Sequence, residues 1–120
     1  LPPPDRFENY ADRSAANLVG RTIFAYNDNY SGAAPVGSYK ANHNQLFDMG
    51  GNVAEWTHDF YEIPKQDDVE DYLGPEKGEY HVIKGASWMQ GTITELRLSF
   101  RDYGIEGRQD VGFRIARYAE

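Results

Sequence analysis

Two carboxylates, Asp48 and Glu55, stand seven positions apart around the run Gly50-Gly51-Asn52-Val53. That pattern suits a hard cation. Ca2+ gathers roughly six to eight oxygens at about 2.3–2.6 Å, mixing carboxylates with carbonyls and waters. Gly50 and Gly51 permit positive φ, which would turn carbonyls such as those of Gly51 and Val53 inward beside the two side chains. The plainer alternative has Asp48 capping a turn and Glu55 exposed on a strand. A second run, Asn27-Asp28-Asn29-Tyr30-Ser31-Gly32, starts like an EF-hand loop. It lacks the Glu that such a loop needs at its last position, so that reading fails.

Composition narrows the remaining chemistry. The chain has no cysteine, which excludes disulfides, zinc thiolate sites and thiol nucleophiles. His43, His58 and His81 are the only histidines, and no two share the i, i+4 spacing of a helix-borne metal site. They read as surface or packing residues. Ser87, His58 and Asp59 could be drawn as a triad, but no nucleophile elbow surrounds the serine. Trp56 and Trp88 read as core anchors. Arg97, Arg101 and Arg114 are expected to pair with Asp102, Asp110 or neighbouring carboxylates. With 12 basic and 19 acidic residues the net charge is −7, which argues against nucleic acid and for cations. No apolar run approaches the roughly 20 residues of a membrane span. No signal peptide is visible, and a start at Leu1 points to a processed or trimmed N-terminus.

The elements that would position these residues are short. A chain of 120 residues, 40% hydrophobic and 14% aromatic, reads as one domain with a single modest core. Residues 1–4, with Pro2-Pro3-Pro4, read as a linker. A helix is predicted over 5–18, capped by Asp5, on the spacing of Phe7, Tyr10, Ala11, Ala15 and Leu18. A strand is expected over 21–26, a turn over 27–32 and an extended piece over 36–39. The loop from Asp48 should enter a strand at Val53. Residues 62–79 carry seven acidic residues against two lysines and read as a solvated loop. Alternation predicts strands over 81–84, 95–101 (Leu96, Leu98 and Phe100 on one side) and 111–117.

Four blocks carry a resemblance: Gln45-Leu46-Phe47-Asp48-Met49-Gly50-Gly51-Asn52-Val53-Ala54-Glu55-Trp56, Lys84-Gly85-Ala86-Ser87-Trp88, Arg97 with Arg101, and Gly112-Phe113-Arg114. Ala34-Pro35-Val36-Gly37 adds a fifth step upstream. In order and spacing they resemble the formylglycine-generating enzymes, or sulfatase-modifying factors. The resemblance implies an α+β, C-type-lectin-like fold, here its C-terminal half, irregular, with short antiparallel strands and few helices. It also implies calcium at two sites. One would use Asp48, Glu55 and the carbonyls of Gly51 and Val53; the other would use Asp12, Asp28 and the carbonyls of Arg13 and Tyr30.

The same resemblance marks what has changed. The two cysteines that oxidise substrate in the enzymes fall at Gln90 and Glu95, and neither residue offers the soft thiolate that Cu(I) needs. Cysteine-dependent formylglycine generation is therefore excluded. Trp88 would sit at the mouth of the former catalytic groove, so Trp88, Gln90 and Glu95 become candidate ligand-binding residues. The expected role is a calcium-stabilised, catalytically diverged binding or structural module with a protein or small-molecule partner. Family branches of this sort include gliding-motility lipoproteins and the variable proteins of diversity-generating retroelements. A periplasmic, secreted or cell-surface setting is favoured. The alternative is part of a non-haem iron or other oxidoreductase whose metal ligands lie outside this chain.

Overall fold

The computed structural model describes residues 8–23, 26–66 and 70–119. The predicted linker, the Asp5 cap and Phe7 lie outside the described residues. Four strands make one sheet: β1 (Ala54–Phe60), β2 (His81–Lys84), β3 (Asp102–Gly104) and β4 (Val111–Gly112), in the order β3-β2-β1-β4. β2 is antiparallel to both β1 and β3, whereas β4 runs parallel to β1, so the sheet is mixed and not wholly antiparallel. In β2 the successive residues Val82 and Ile83 are both buried, which means that both faces of the sheet are covered there. Trp56 pairs with Ile83 and Phe60 with His81, so three residues of β1 oppose one of β2. This bulge bends the strand, and the Thr57 hydroxyl spans it to the Val82 carbonyl at 3.0 Å.

Tertiary hydrogen bonds override local propensity in the first third. The predicted helix over 5–18 is reduced, among the described residues, to a 3-10 turn at Arg13–Ala15 capped by the Asp12 side chain. Upstream of it the backbone is committed elsewhere. Tyr10 N donates to Asp28 Oδ2 at 3.0 Å, Ala11 N to the Gln90 carbonyl at 2.9 Å, and Asn52 N to the Asn9 carbonyl at 2.7 Å. A backbone group bonded across the molecule is not available to an i→i−4 ladder. Of the strand expected over 21–26, whose residues 24 and 25 lie outside the described residues, the described part shows a parallel bridge between Ile23 and Asp12. Residues 36–39 are not extended: Ser38 N closes a turn on Pro35 O, with Gly37 at φ 72°.

The strand predicted over 95–101 is also replaced by turns, for a local reason. Thr92-Ile93-Thr94-Glu95 folds as a capping box. Glu95 Oε2 accepts from Gly91 N and Thr92 N at 3.2 and 3.1 Å, while Glu95 N donates to Thr92 Oγ1 at 3.3 Å. Leu96 then packs on the core and Leu98 is left 95% exposed. Of the strand predicted over 111–117, only Val111–Gly112 pairs. The prediction of β2 holds to the residue, β1 begins one residue later than expected, and the described part of 62–79 is irregular.

Buried apolar residues include Ala11, Ala15, Ala54, Val82, Ile83 and Trp88, and one cluster joins Tyr10, Tyr26 and Ala86 with the partly buried Ile23 and Leu96. The chain exposes 9206 Å², against about 6,600 Å² for a compact monomer of its 13.6 kDa. Val36, Leu98, Phe113 and Ile115 contribute to the excess. Among the described residues no helix is long and apolar enough to cross a membrane.

The glycine pair before Asn52 has a different job from the one its sequence implies. Positive φ falls on Asp48 (54°) and Asn52 (71°), not on Gly50 or Gly51. The glycines are there for close approach, because the segment holding Glu8 and Asn9 lies directly over them. A Cβ on Gly51 would sit 2.8 Å from the Asn9 carbonyl oxygen and 2.9 Å from Glu8 Cβ. Gly51→Ala should therefore cost about 1–3 kcal/mol by overpacking, measured by chemical denaturation. Gly107→Ala, which meets nothing within 4 Å, should be near neutral.

Candidate cation sites and the diverged groove

Asp12 and Asp28 are brought together by the first turn and the loop after Ile23. Both are sealed from solvent, at 0% and 2% exposure. The Asp28 amide donates to Asp12 Oδ2, and Asp28 accepts from Tyr10 N and Tyr30 N at 3.0 and 2.9 Å. Asp12 Oδ1 accepts from Ser14 N at 2.8 Å. Ser14 Oγ also lies 2.6 Å from Asp12 Oδ1 and 2.7 Å from the Tyr30 carbonyl oxygen. A hydroxyl has one proton, so it can serve only one of those two acceptors. No ion pair reaches either carboxylate among the described residues. Burial is the main force raising the Asp28 carboxyl to about 6, and the Asp12 charge adds to it while the Tyr30 and Tyr10 amides oppose it. Two buried carboxylates beside the Tyr30 carbonyl, with no basic side chain paired to them among the described residues, form a donor set that fits a hard cation.

The Asp48–Glu55 set does not fit in the form the sequence implied. Arg114 takes Glu55: its Nε lies 2.8 and 3.0 Å from the two carboxylate oxygens, and its Nη2 lies 2.6 Å from Oε1. The same Nη2 donates to the carbonyls of Phe47 and Asp48 at 3.0 and 3.2 Å. The guanidinium thus joins the Glu55 carboxylate to the backbone carbonyls of Phe47 and Asp48 and forms no ion pair with the Asp48 side chain. Asp48 Oδ2 accepts from Gly37 N at 2.9 Å, and its Oδ1 is buried without a partner. Gly51 is packed beneath Asn9, and Val53 lines an open groove with Val36, Phe47 and Phe113. Among the described residues no three His, Asp or Glu side chains converge as a metal cluster.

The two signature loops are bonded to each other through Asn52. Trp88 N donates to the Asn52 carbonyl at 2.7 Å and Ala86 N to the Gly50 carbonyl at 3.2 Å. The Asn52 side chain receives Asn9 Nδ2 at 3.0 Å and Ala34 N at 2.8 Å, and returns a bond to the Ala34 carbonyl at 3.1 Å. The motif, the Ala-Pro-Val-Gly step and the segment at Asn9 therefore meet at one amide.

With that geometry in view, the comparisons are decisive. The chain matches the Sulfatase-modifying factor enzyme 1-like domain over residues 5–119. It belongs to that family. It is 38% identical over 113 residues to a protein named serine/threonine-protein kinase pkn1 of Chlamydia caviae, covering 88% of this chain and 16% of that protein. It is 35% identical over 63 residues to the mouse formylglycine-generating enzyme, covering 52% of this chain and 17% of the enzyme. The solved structure of Treponema denticola variable protein 1 aligns with a TM-score of 0.67 and 27% identity over 90% of this chain and 34% of that one. This chain thus spans about a sixth of the curated relatives' length and a third of the solved structure.

Within this sulfatase-modifying-factor domain, the side chains of Gln90 and Glu95 act as backbone fasteners. Gln90 Oε1 accepts from Ser87 N at 3.0 Å, and Glu95 closes the capping box. Gln90 also borders a shallow depression with Met89, Arg108, Gln109 and Asp110. Trp88 is 9% exposed and Trp56 half-buried against Gly104, as core anchors should be. Ser87 is fully buried and donates to Asp110 Oδ2 at 2.8 Å, away from any histidine. His43 and His58 are exposed, and His81 stacks on Phe60 at 4.6 Å.

Three arginine expectations resolve differently. Arg114 pairs with a neighbouring carboxylate as predicted, but Arg101 stacks over Tyr61 and donates to the Glu62 carbonyl. Arg97 makes no ion pair among the described residues. Asp102 and Asp110 are instead held by Arg108, at 2.8 and 3.3 Å. The sequence reading missed Arg108, Asn52 and Glu8. The first was visible only as one more charge, the second was quoted inside a motif but carries no charge, and the third had no partner nearby in sequence.

Asp28 and Glu8 set a pH signature. Both carboxyls are raised, from 3.8 to about 6 and from 4.5 to about 7, with burial the largest cause in each. Their contribution is fully present below the unfolded values and is lost as pH rises through the folded ones. In chelator, Tm should therefore fall by several degrees from pH 5 to pH 8. A melt series across that range checks the sign, and a rising Tm would contradict it.

Proposed function

We propose that this chain is a calcium-stabilised, catalytically diverged sulfatase-modifying-factor-like domain that serves as a binding or structural module, on a partial C-type-lectin-like body. The observation that carries the reading is the Asp12–Asp28 pair. It consists of two carboxylates buried together, with a single hydroxyl proton for two acceptors and no basic partner. Ca2+ at this point would bond the Asp12 and Asp28 carboxylates and the carbonyls of Arg13 and Tyr30, with water completing the shell. It would fasten the first turn to the loop carrying Asp28.

The binding half of the proposal draws on the excess exposed surface and on the groove. Gln90 and Glu95 hold backbone amides where a redox pair would need free thiols, so the groove retains its shape without its chemistry. Of the residues Trp88, Gln90 and Glu95, Gln90 remains open to a ligand, beside Met89 and Gln109. The partner is a protein surface or a small polar molecule, met at that depression and along the exposed apolar residues.

Calcium linkage tests the reading directly. An ion that binds only the folded state stabilises it by about 2.7 kcal/mol at a hundredfold excess over Kd. Chelation at pH 7.5 should lower Tm by several degrees, added Ca2+ should restore it, and Asp12→Asn should abolish most of that response. Protein that carries no calcium by metal analysis and melts identically with and without chelator would refute the proposal.

A further inference from the structure

β1 and β2 are joined by a loop that leaves and returns between two tyrosines, Tyr61 and Tyr80. Tyr61 N donates to the Tyr80 carbonyl at 2.7 Å, which closes the loop at its mouth. The rings gather there. Tyr61 stacks on Tyr103 of β3, with centroids 4.4 Å apart and planes at 30°, and Tyr80 meets Tyr103 edge-on at 5.5 Å. On Tyr61 the Arg101 guanidinium lies 5.1 Å from the ring centroid, and its Nη2 donates to the Glu62 carbonyl at 3.1 Å. Tyr103 stands in register with the buried Val82, so the cluster begins where the covered part of the sheet ends.

A staple for strand ends would bury its rings, but Tyr103 and Tyr80 are 48% and 39% exposed. Tyrosine and arginine dominate the energetics of protein interfaces, because each offers a large flat face with a polar edge. The charge around the cluster selects the partner. Glu62 follows Tyr61 and Glu79 precedes Tyr80, and Glu70, Asp71, Glu76 and Glu79 are all exposed along the loop, against Lys65 and Lys77. Such a rim repels phosphate, and it also repels a second copy of this chain, whose net charge is −7. It draws a basic segment. Arg101 shows the mode: one guanidinium is held by a tyrosine face and by an oxygen at the loop's edge.

We propose that this cluster docks an arginine-bearing segment of a partner protein, whose guanidinium stacks on Tyr103 and Tyr80 while the loop carboxylates hold its charge. The face shares no residue with the depression beside Gln90, and it requires no metal. A planar guanidinium suits it better than an ammonium, since it can lie flat on a ring and still donate in its own plane.

Fluorescence anisotropy on the full chain tests it with three labelled peptides, which alternate Gly with Arg, with Lys or with Glu. The Arg peptide should bind, the Lys peptide should bind roughly threefold more weakly, and the Glu peptide should not bind. Tyr103→Ala and Tyr80→Ala should each weaken the Arg peptide by roughly fivefold. Tyr103→Phe keeps the ring and should change it by less than about twofold. Tyr118→Ala, which removes a ring that is 96% exposed and makes no ring contact among the described residues, should leave it unchanged. Thermal melts establish which variants fold; should Tyr103→Ala fail, Tyr80→Ala carries the comparison. An Arg peptide that does not bind would overturn the inference. Arg and Lys peptides bound alike, with no effect of either alanine, would overturn it by reducing the face to a charge field. Binding of maltohexaose in place of the Arg peptide, lost in Tyr80→Ala, would overturn it in favour of a sugar platform. None of these results bears on the calcium linkage, which is read from metal and chelator alone.

Discussion

One buried amide holds the irregular part of this molecule together. Asn52, 3% exposed and at φ 71°, bonds by backbone or side chain to Asn9, Ala34 and Trp88. Those partners lie in three loops that share no strand with one another. In a sheet or helix, repetitive ladders satisfy the backbone; here 52 must do so point by point. An asparagine suits the position twice over. Its side chain offers both a donor and an acceptor to Ala34, and it tolerates the left-handed backbone better than most residues. The glycines before it and the buried Trp88 after it in space follow from that junction, because the chain must pass close on both sides.

The charges divide by whether a basic side chain can reach them. Arg108 serves Asp102 and Asp110 at the end of the sheet, and Arg114 serves Glu55. These pairs are partly exposed and contribute modestly to stability. Asp12, Asp28, Glu8 and Asp48 are deeper and have no such partner. Burying them costs far more than burying the paired ones, and a chain of net charge −7 has few cations to spare. The described acidic residues of 62–79 escape this problem by staying exposed or half-exposed.

What the sequence disclosed was the family signature and the sheet at its centre. β2 and the entry to β1 were legible because Val82, Ile83 and Trp56 sit in a pleat whose period is local. The long first helix was not legible as absent. Tyr10, Ala11 and Ala15 have a passable helical spacing, and only the distant bonds from residues 9–11 to 28, 52 and 90 show why it fails. The strand over 95–101 misled for the opposite reason. Its alternation was real, but Thr92 and Glu95 were a start signal for a turn, and a four-residue cap outweighs a pattern whose Leu98 is left in solvent. In the candidate sites, Asp12 and Asp28 meet through one hydrogen bond, and Arg114 links the Glu55 carboxylate to the Asp48 backbone. That Arg114 would claim Glu55, and that Glu8 would come to lie on the glycines, depends on contacts spanning 59 and more than 40 residues. No local pattern encodes those.

The same economy governs the turns that carry Gln90 and Glu95. A thiol pair leaves the amides around it to be satisfied by other groups, whereas Gln90 and Glu95 satisfy them directly: Ser87 N by the first, Gly91 N and Thr92 N by the second. Each replacement stabilises the turn it sits in, by about 1 kcal/mol for a typical hydrogen bond. Reversing one alone would leave an amide unpaired without restoring a redox couple. Both side chains are thereby tied to the fold by backbone hydrogen bonding, whereas the side chains of Met89 and Gln109 meet each other at the rim of the same shallow depression.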